Sequence, residues 1–229
     1  MRPEARVKSR SGDAPRERAA PCARAAPPYL GGMGARSETG QGGLEASDLT
    51  GRLLIAMPGM GDPRFERAVV FLFTHSDEGA MGVIVNQPSG DVDFADLIRQ
   101  LKLKRSEAAR DIPVHVGGPV EPARGFVLHS ADYRAPEGTM GCGAFGMTAT
   151  KDVLADLAIG AGPQDAILAL GYAGWGPGQL EGEIARNGWL TADAERAIVF
   201  EMDPAQRWSA ALATLGVDPV MLSAQGGRA

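Results

Sequence analysis

Few residues in this chain have the chemistry to act as catalysts or ligands, and they are scattered. Its three histidines are His75, His115 and His129. A histidine titrates near neutrality and serves as acid, base or metal ligand. His75, with Asp77 and Glu78 close behind it, has the composition of a metal half-site, and His129 is followed by Asp132. Neither forms H-E-x-x-H or another helical pair of histidines, the spacing that sets two ligands on one face. A lone histidine at a strand end is read as hydrogen-bonded structure, and no metal or cofactor is expected. Ser76 and Ser130 each follow a histidine, but neighbours on a strand point to opposite faces and make no nucleophile–base pair. No G-x-S-x-G nucleophile elbow occurs, and Cys142 has no basic neighbour or helix start to activate it.

The glycine-rich segments are the next candidates. Gly141, Gly143 and Gly146 satisfy G-x-G-x-x-G within Met140 to Met147. A dinucleotide site needs a buried strand directly before the glycines and a helix directly after, so that the pyrophosphate meets the helix N-terminus. Here Ala135 to Thr139 reads as a turn and the next helix starts near Lys151, so a glycine-rich strand or loop is the better reading. Gly171 to Gly178 lies between an apolar run and a helix pattern, which makes it the best-placed ligand loop by geometry. It lacks the Lys-Ser/Thr pair of a P-loop, and a tight turn around a packed Trp175 explains it. The charged segment Asp62 to Arg67 reads as a solvated loop in which Arg64 or Arg67 pairs with acids elsewhere.

These residues must be positioned by a folded body, and composition bounds it. With 229 residues, 44% of them apolar, the chain can bury a core as one domain. No run approaches the roughly 18 consecutive apolar residues of a membrane span. Residues 1 to 47 carry eight basic and five acidic residues, a net of +3, which leaves −8 for the remainder of a chain whose total is −5. An acidic body is a poor partner for a phosphate backbone, so direct nucleic-acid binding is not expected. Two distant cysteines, Cys22 and Cys142, form no disulfide framework and fit a reducing cytoplasm.

Residues 1 to 47 are rich in Arg, Ala, Pro and Gly without apolar periodicity and are expected to form a disordered extension. They lack the apolar core of a secretory signal, and Met33 is a plausible alternative start to Met1. The folded domain is expected over 48 to 222, followed by a short tail at 223 to 229. Short apolar runs predict strands at Arg52 to Met57, Ala68 to Thr74, Met81 to Asn86, Val114 to Gly117, Gly125 to His129, Ala166 to Tyr172 and Ala197 to Phe200. Phe94, Leu97, Ile98 and Leu101 line one face of a helix over Asp93 to Leu103, and Trp208, Ala211, Leu212 and Leu215 repeat that spacing before Gly216. Shorter helices are predicted at Lys151 to Ile159 and at Pro177 to Asn187, the latter with Pro in its first turn. About four helices and a cluster of strands that do not alternate strictly with them indicate a single α+β domain.

Taken together, three blocks resemble the YqgE/AlgH family. The first is Leu54-Ile55-Ala56-Met57-Pro58 with Asp62-Pro63-Arg64-Phe65 and the stretch from His75 to Asn86. The second is Gly117-Gly118-Pro119-Val120 with Arg124 to His129. The third is Gly171-Tyr172-Ala173-Gly174-Trp175 with Gly178-Gln179-Leu180-Glu181 and Trp189-Leu190. The resemblance runs from about Leu49 to Leu222 and implies an α+β domain with a mixed, bifurcated, barrel-like sheet, of bacterial cytoplasmic origin and without an established activity. Members carry a transcriptional-regulator label, which does not entail DNA contact. Two departures stand out: Thr74 where many relatives have Cys, and a Gly-Arg-Ala ending where many have Gly-His-Ala. The resulting expectation is a non-enzymatic protein that binds a protein partner or small ligand, with regulatory consequence. The competing expectation is an enzyme whose site assembles from distant loops. The expected patch joins His75, Glu78, Gly117, Gly118, Arg124, His129, Tyr172, Trp175 and Glu181.

Overall fold

The computed structural model describes residues 48–222. The expectations for residues 1 to 47, for Met33 as a start and for the tail at 223 to 229 lie outside the described residues.

The elements are β1 (Arg52–Ala56), β2 (Val69–Ser76), β3 (Gly79–Ile84), α1 (Phe94–Gln100), β4 (Val114–Val116), β5 (Val120–Ser130), β6 (Thr139–Cys142), β7 (Phe145–Thr148), α2 (Lys151–Ile159), β8 (Ala166–Trp175), α3 (Gln179–Ala185), β9 (Trp189–Asp193) and α4 (Pro204–Thr214). The strands form one sheet in the order β6-β7-β5-β8-β3-β2-β1-β9, and β4 adds to β8 as its one parallel pairing. The domain is α+β, and the sheet curls into a half-barrel.

Alternation along the strands builds the layers. Leu53 and Ile55 of β1, Val69, Phe71 and Phe73 of β2 and Phe126 and Leu128 of β5 face the concave side. There they meet Trp208, Ala211 and Leu212 of α4, which closes the half-barrel. The intervening residues Leu54, Ala56, Val70 and Leu72 point outward onto α3 through Leu180. On the other wing, Val127 and Leu168 point outward onto α1 and α2 through Phe94, Ile98, Val153 and Leu157. Both faces of the central strands are thus covered, as their unbroken apolar runs require.

The helix ends follow local rules. Asp93 accepts the Asp96 amide at 2.6 Å and starts α1, and Asp203 accepts the Ala205 amide and, with Pro204 in the first turn, starts α4. Gly160 ends α2 in the left-handed conformation.

Three expectations need correction. Ala197 to Phe200 is not a strand but part of a π-helical turn, Ala197–Glu201. Its neighbour β9 already takes the open edge of β1, and Ile198 and Val199 instead plug the concave core. A short apolar run does not by itself distinguish these outcomes. Residues 171 to 175 belong to β8, so the turn is confined to Gly176–Gly178. Helix α3 starts after Gly178, which leaves Pro177 outside its first turn. Three strands that the sequence reading did not assign, β6, β7 and β9, complete the sheet; β6 and β7 form a hairpin from the glycine-rich segment 139–148.

The sheet forks at Gly171. Before it, β8 pairs with β4 on one edge; after it, that edge pairs with β3. Gly171 has φ +75°, and the alternation resets there. Ile167 and Ala169 face the concave core before it, whereas Tyr172 does so after it. The link from β4 to β5 crosses β8 at this point, since β5 lies on the opposite edge. A Cβ on Gly118 would stand 2.2 Å from the Tyr172 carbonyl carbon and one on Gly117 2.3 Å from the Gly171 oxygen. Only glycine fits this crossing, because backbone meets backbone there.

Candidate functional site

The structure distributes the nine predicted patch residues over three places. At the first, the end of β2 brings His75 against α3. His75 Nδ1 accepts from the Leu49 amide at 3.2 Å, so Nε2 carries the proton and donates to Glu181 Oε1 at 2.9 Å. Trp175 and Trp189 both donate their indole N–H to Glu183 Oε2, at 2.9 and 2.8 Å, and Gln179 donates to Oε1 at 2.9 Å. Burial alone would raise the pKa of Glu183, but these hydrogen bonds, with Arg186 nearby, hold its carboxyl below the usual range. Glu78 is exposed in the turn between β2 and β3.

At the second place, Gly117 and Gly118 make the crossing already described, and Tyr172 lies under it. Tyr172 meets the Phe126 ring edge-on at 5.7 Å, and the Arg124 guanidinium sits over the other aromatic partner, Phe126, at 4.9 Å. Tyr172 faces the concave core while Trp175 faces α3, so the two aromatics of this block lie on opposite sides of the sheet.

His129 is in the third place. Its register partner on β8 is Ala166, whereas Tyr172 pairs with Val120; six residues of strand separate the two, about 20 Å. His129 is 0% exposed. Its Nδ1 donates to the Ser130 carbonyl at 2.9 Å, and Nε2 accepts from Thr148 Oγ1 at 2.9 Å. Thr148 in turn meets Thr139 Oγ1 at 2.8 Å, and Thr139 accepts the Ala135 amide at 2.9 Å. Every polar atom in this relay has a partner. Burial depresses the His129 pKa, opposed in part by the Ser130 carbonyl and by Asp132. The last glycine of the G-x-G-x-x-G segment makes room for this ring: a Cβ on Gly146 would stand 2.4 Å from His129 Cε1. The segment is a hairpin fitted to an imidazole.

Two neighbouring buried polar groups lie outside all three places. His115, in the middle of β4, is 1% exposed, and neither ring nitrogen makes a hydrogen bond of ordinary geometry, although the Val85 carbonyl lies close enough to favour the protonated ring. Beside it Arg207 of α4, itself 2% exposed, donates Nη1 to the Val85 carbonyl and Nε to the Met202 carbonyl at 3.0 Å. Burial, reinforced by the charge of Arg207, pushes the His115 pKa down to about 4, with the nearby Val85 carbonyl opposing. Burial likewise lowers Arg207 to about 10, opposed by Asp203. The imidazole is therefore neutral at pH 7, with one N–H donor and one lone pair, neither in a well-formed hydrogen bond. A buried polar group without a partner costs about 1–3 kcal/mol.

His115 forms part of the wall of a cleft of about 400 Å3 between the start of α1 and residues 111–115. This volume falls within the usual range for small-molecule sites. Val92, Phe94 and Ile112 supply apolar wall; Asp93 and Asp111 supply carboxylates. Those carboxylates are engaged, Asp93 as the α1 cap and Asp111 by Arg105 at 2.9 Å. Sequence pattern alone gives His115 no role. Its signal was a polar residue set between Val114 and Val116 in a short apolar run. Arg207 had a similar signal, lying four residues before Ala211 on the apolar stripe of α4.

Among the described residues, no group of three or more His, Cys, Asp or Glu side chains could hold a metal ion, and no helix is long and apolar enough to cross a membrane.

Comparison with known proteins supplies the lineage. A family model described as AlgH-like matches residues 53–220. A UPF0301 protein of Ruegeria pomeroyi is 56% identical over 184 residues, covering 80% of this chain and 100% of that protein. A UPF0301 protein of Cereibacter sphaeroides is 54% identical over 183 residues, with the same coverage of 80% and 100%. Among solved structures, the solution structure of AlgH from Pseudomonas aeruginosa is similar at TM-score 0.66 and 41% identity, over 82% of this chain and 100% of that one. A crystal structure of a Corynebacterium diphtheriae protein, at 21% identity and TM-score 0.56 over 76% of this chain and 89% of that one, shares the fold. With a family model spanning most of the folded domain and relatives above half identity along their full length, this chain belongs to the AlgH-like family.

Proposed function

We propose that this chain is a binding protein rather than a catalyst, and that it holds a small ligand in the cleft walled by His115. The observation that carries the reading is the buried imidazole with two unpartnered nitrogens at the wall of a cavity large enough for a ligand. The other two histidines support it from the opposite side, since the nitrogens that would act as a general base are committed to Leu49, Glu181, Ser130 and Thr148. A regulatory consequence through a protein partner belongs to the same proposal. The acidic body makes direct DNA contact an unfavourable means of regulation. A cytoplasmic setting belongs to the same reading and fits a chain with two well-separated cysteines.

Fragment screening by amide NMR tests this reading. Shifts from hits are expected to cluster at Phe94, Ile112 and His115 and to vanish in Ala95→Phe, which fills the cleft from α1. Hits that cluster around Trp175 and Glu181 instead, or that survive Ala95→Phe unchanged, would move the site elsewhere. Turnover of any hit would favour an enzyme.

A further inference from the structure

We propose that the ligand class of the His115 cleft is an uncharged polar head, a carboxamide or a hydroxyl, carried on an apolar body. The inference rests on the cleft being the ligand seat and adds the chemistry of its occupant.

Charge balance around the cleft argues for a neutral head. A carboxylate or phosphate would find two acidic side chains, Asp93 and Asp111, in the walls. It would find a single N–H on His115, because the neutral imidazole keeps one nitrogen as an acceptor. Arg207, the nearest cation, is occupied by the Val85 and Met202 carbonyls through Nη1 and Nε. A cationic head fares no better. Asp111 is already paired with Arg105 at 2.9 Å, Asp93 is engaged at the start of α1, and the charge of Arg207 bears on His115 from behind. A neutral amide or hydroxyl can meet whichever nitrogen the ring presents, accepting from its N–H or donating to its lone pair. Val92, Phe94 and Ile112 then take an aliphatic or aromatic body.

Both nitrogens of His115 are closed to bulk water. Engagement therefore includes a turn of the imidazole toward the occupant, which exchanges an orphaned group for a bonded one.

Three probes of nearly equal shape separate the classes: benzamide, benzoate and benzylamine, titrated at pH 7 into protein with 15N-labelled histidine while the ring-nitrogen resonances are followed. Benzamide is expected to move both His115 nitrogens and to bind about tenfold more tightly than either charged probe. His115→Phe keeps a flat ring, somewhat larger, without donor or acceptor and is expected to weaken benzamide by about fivefold or more. Should that variant not fold, Ala95→Phe, which leaves His115 intact, is expected to abolish the His115 shifts. Tighter binding of benzoate or benzylamine at His115 would overturn the neutral class while leaving the cleft as the seat. No shift at His115 with any probe would overturn both.

Discussion

Two histidines of the same sheet are equally shut off from water, His129 at 0% and His115 at 1% exposure, yet one has both ring nitrogens bonded and the other has neither. Around His129 the chain has supplied a carbonyl, a threonine relay and a glycine that yields space for the ring. Around His115 it has supplied apolar walls, a positive charge and a cleft. Burial is thus the same in both and does not identify function; the difference lies in whether the fold provides hydrogen-bond partners. A satisfied polar group contributes to specifying the fold, whereas an unsatisfied one costs stability and calls for a separate explanation.

The comparison is open to direct challenge. The largest effect is expected from Gly146→Ala, which drives a methyl into the His129 ring and should cost about 3 kcal/mol by chemical denaturation. A cost under about 1 kcal/mol would mean that the His129 relay is looser than its geometry indicates. Acid sensitivity is expected to be of similar size. The folded pKa of His115 lies near 4, below the ordinary 6.5, so the unfolded chain binds the extra proton first. Stability is therefore complete above pH 6.5, falls as the pH drops toward 4 and levels off below, a loss of about 3 kcal/mol. His129 shifts in the same direction, so His115→Phe should flatten the profile without abolishing it. An unchanged profile would show that His115 is not buried neutral.

At neutral pH the same His115→Phe variant is expected to change stability by no more than about 1 kcal/mol, because removal of an orphaned group offsets the crowding from a somewhat larger ring. A loss of 2 kcal/mol or more would reveal a structural partner for His115 and erase the contrast. The smallest effect belongs to the third histidine. Glu181 is 41% exposed in its pairing with His75, and Glu181→Gln should cost about 0.5 kcal/mol, read as a small shift in the denaturation midpoint.

Much of the fold was legible in the residues. Phe94, Leu97, Ile98 and Leu101 at helical spacing became α1, and the Trp208, Ala211 and Leu212 stripe became the face of α4 that closes the half-barrel. The missed elements have physical reasons. Trp189–Asp193 is a strand because it pairs along the whole of β1, a long-range partnership that no local pattern announces. Ala197–Glu201 has a strand's composition but turns Ile198 and Val199 into the concave core instead of pairing. The expected patch was assembled from residues of recognisable type, and its members divide because alternation resets at Gly171 and because His129 lies at the far end of β8 from Tyr172.

The sequence alone determined which runs are apolar, where the amphipathic helices fall, and that the body is acidic. Those are properties of short segments, set by side-chain type and backbone freedom. Tertiary structure alone decided which histidine received partners. Hydrogen bonding in a sheet depends on strands brought together from distant positions, and Thr148, which satisfies His129 Nε2, arrives through the pairing of β5 with β7.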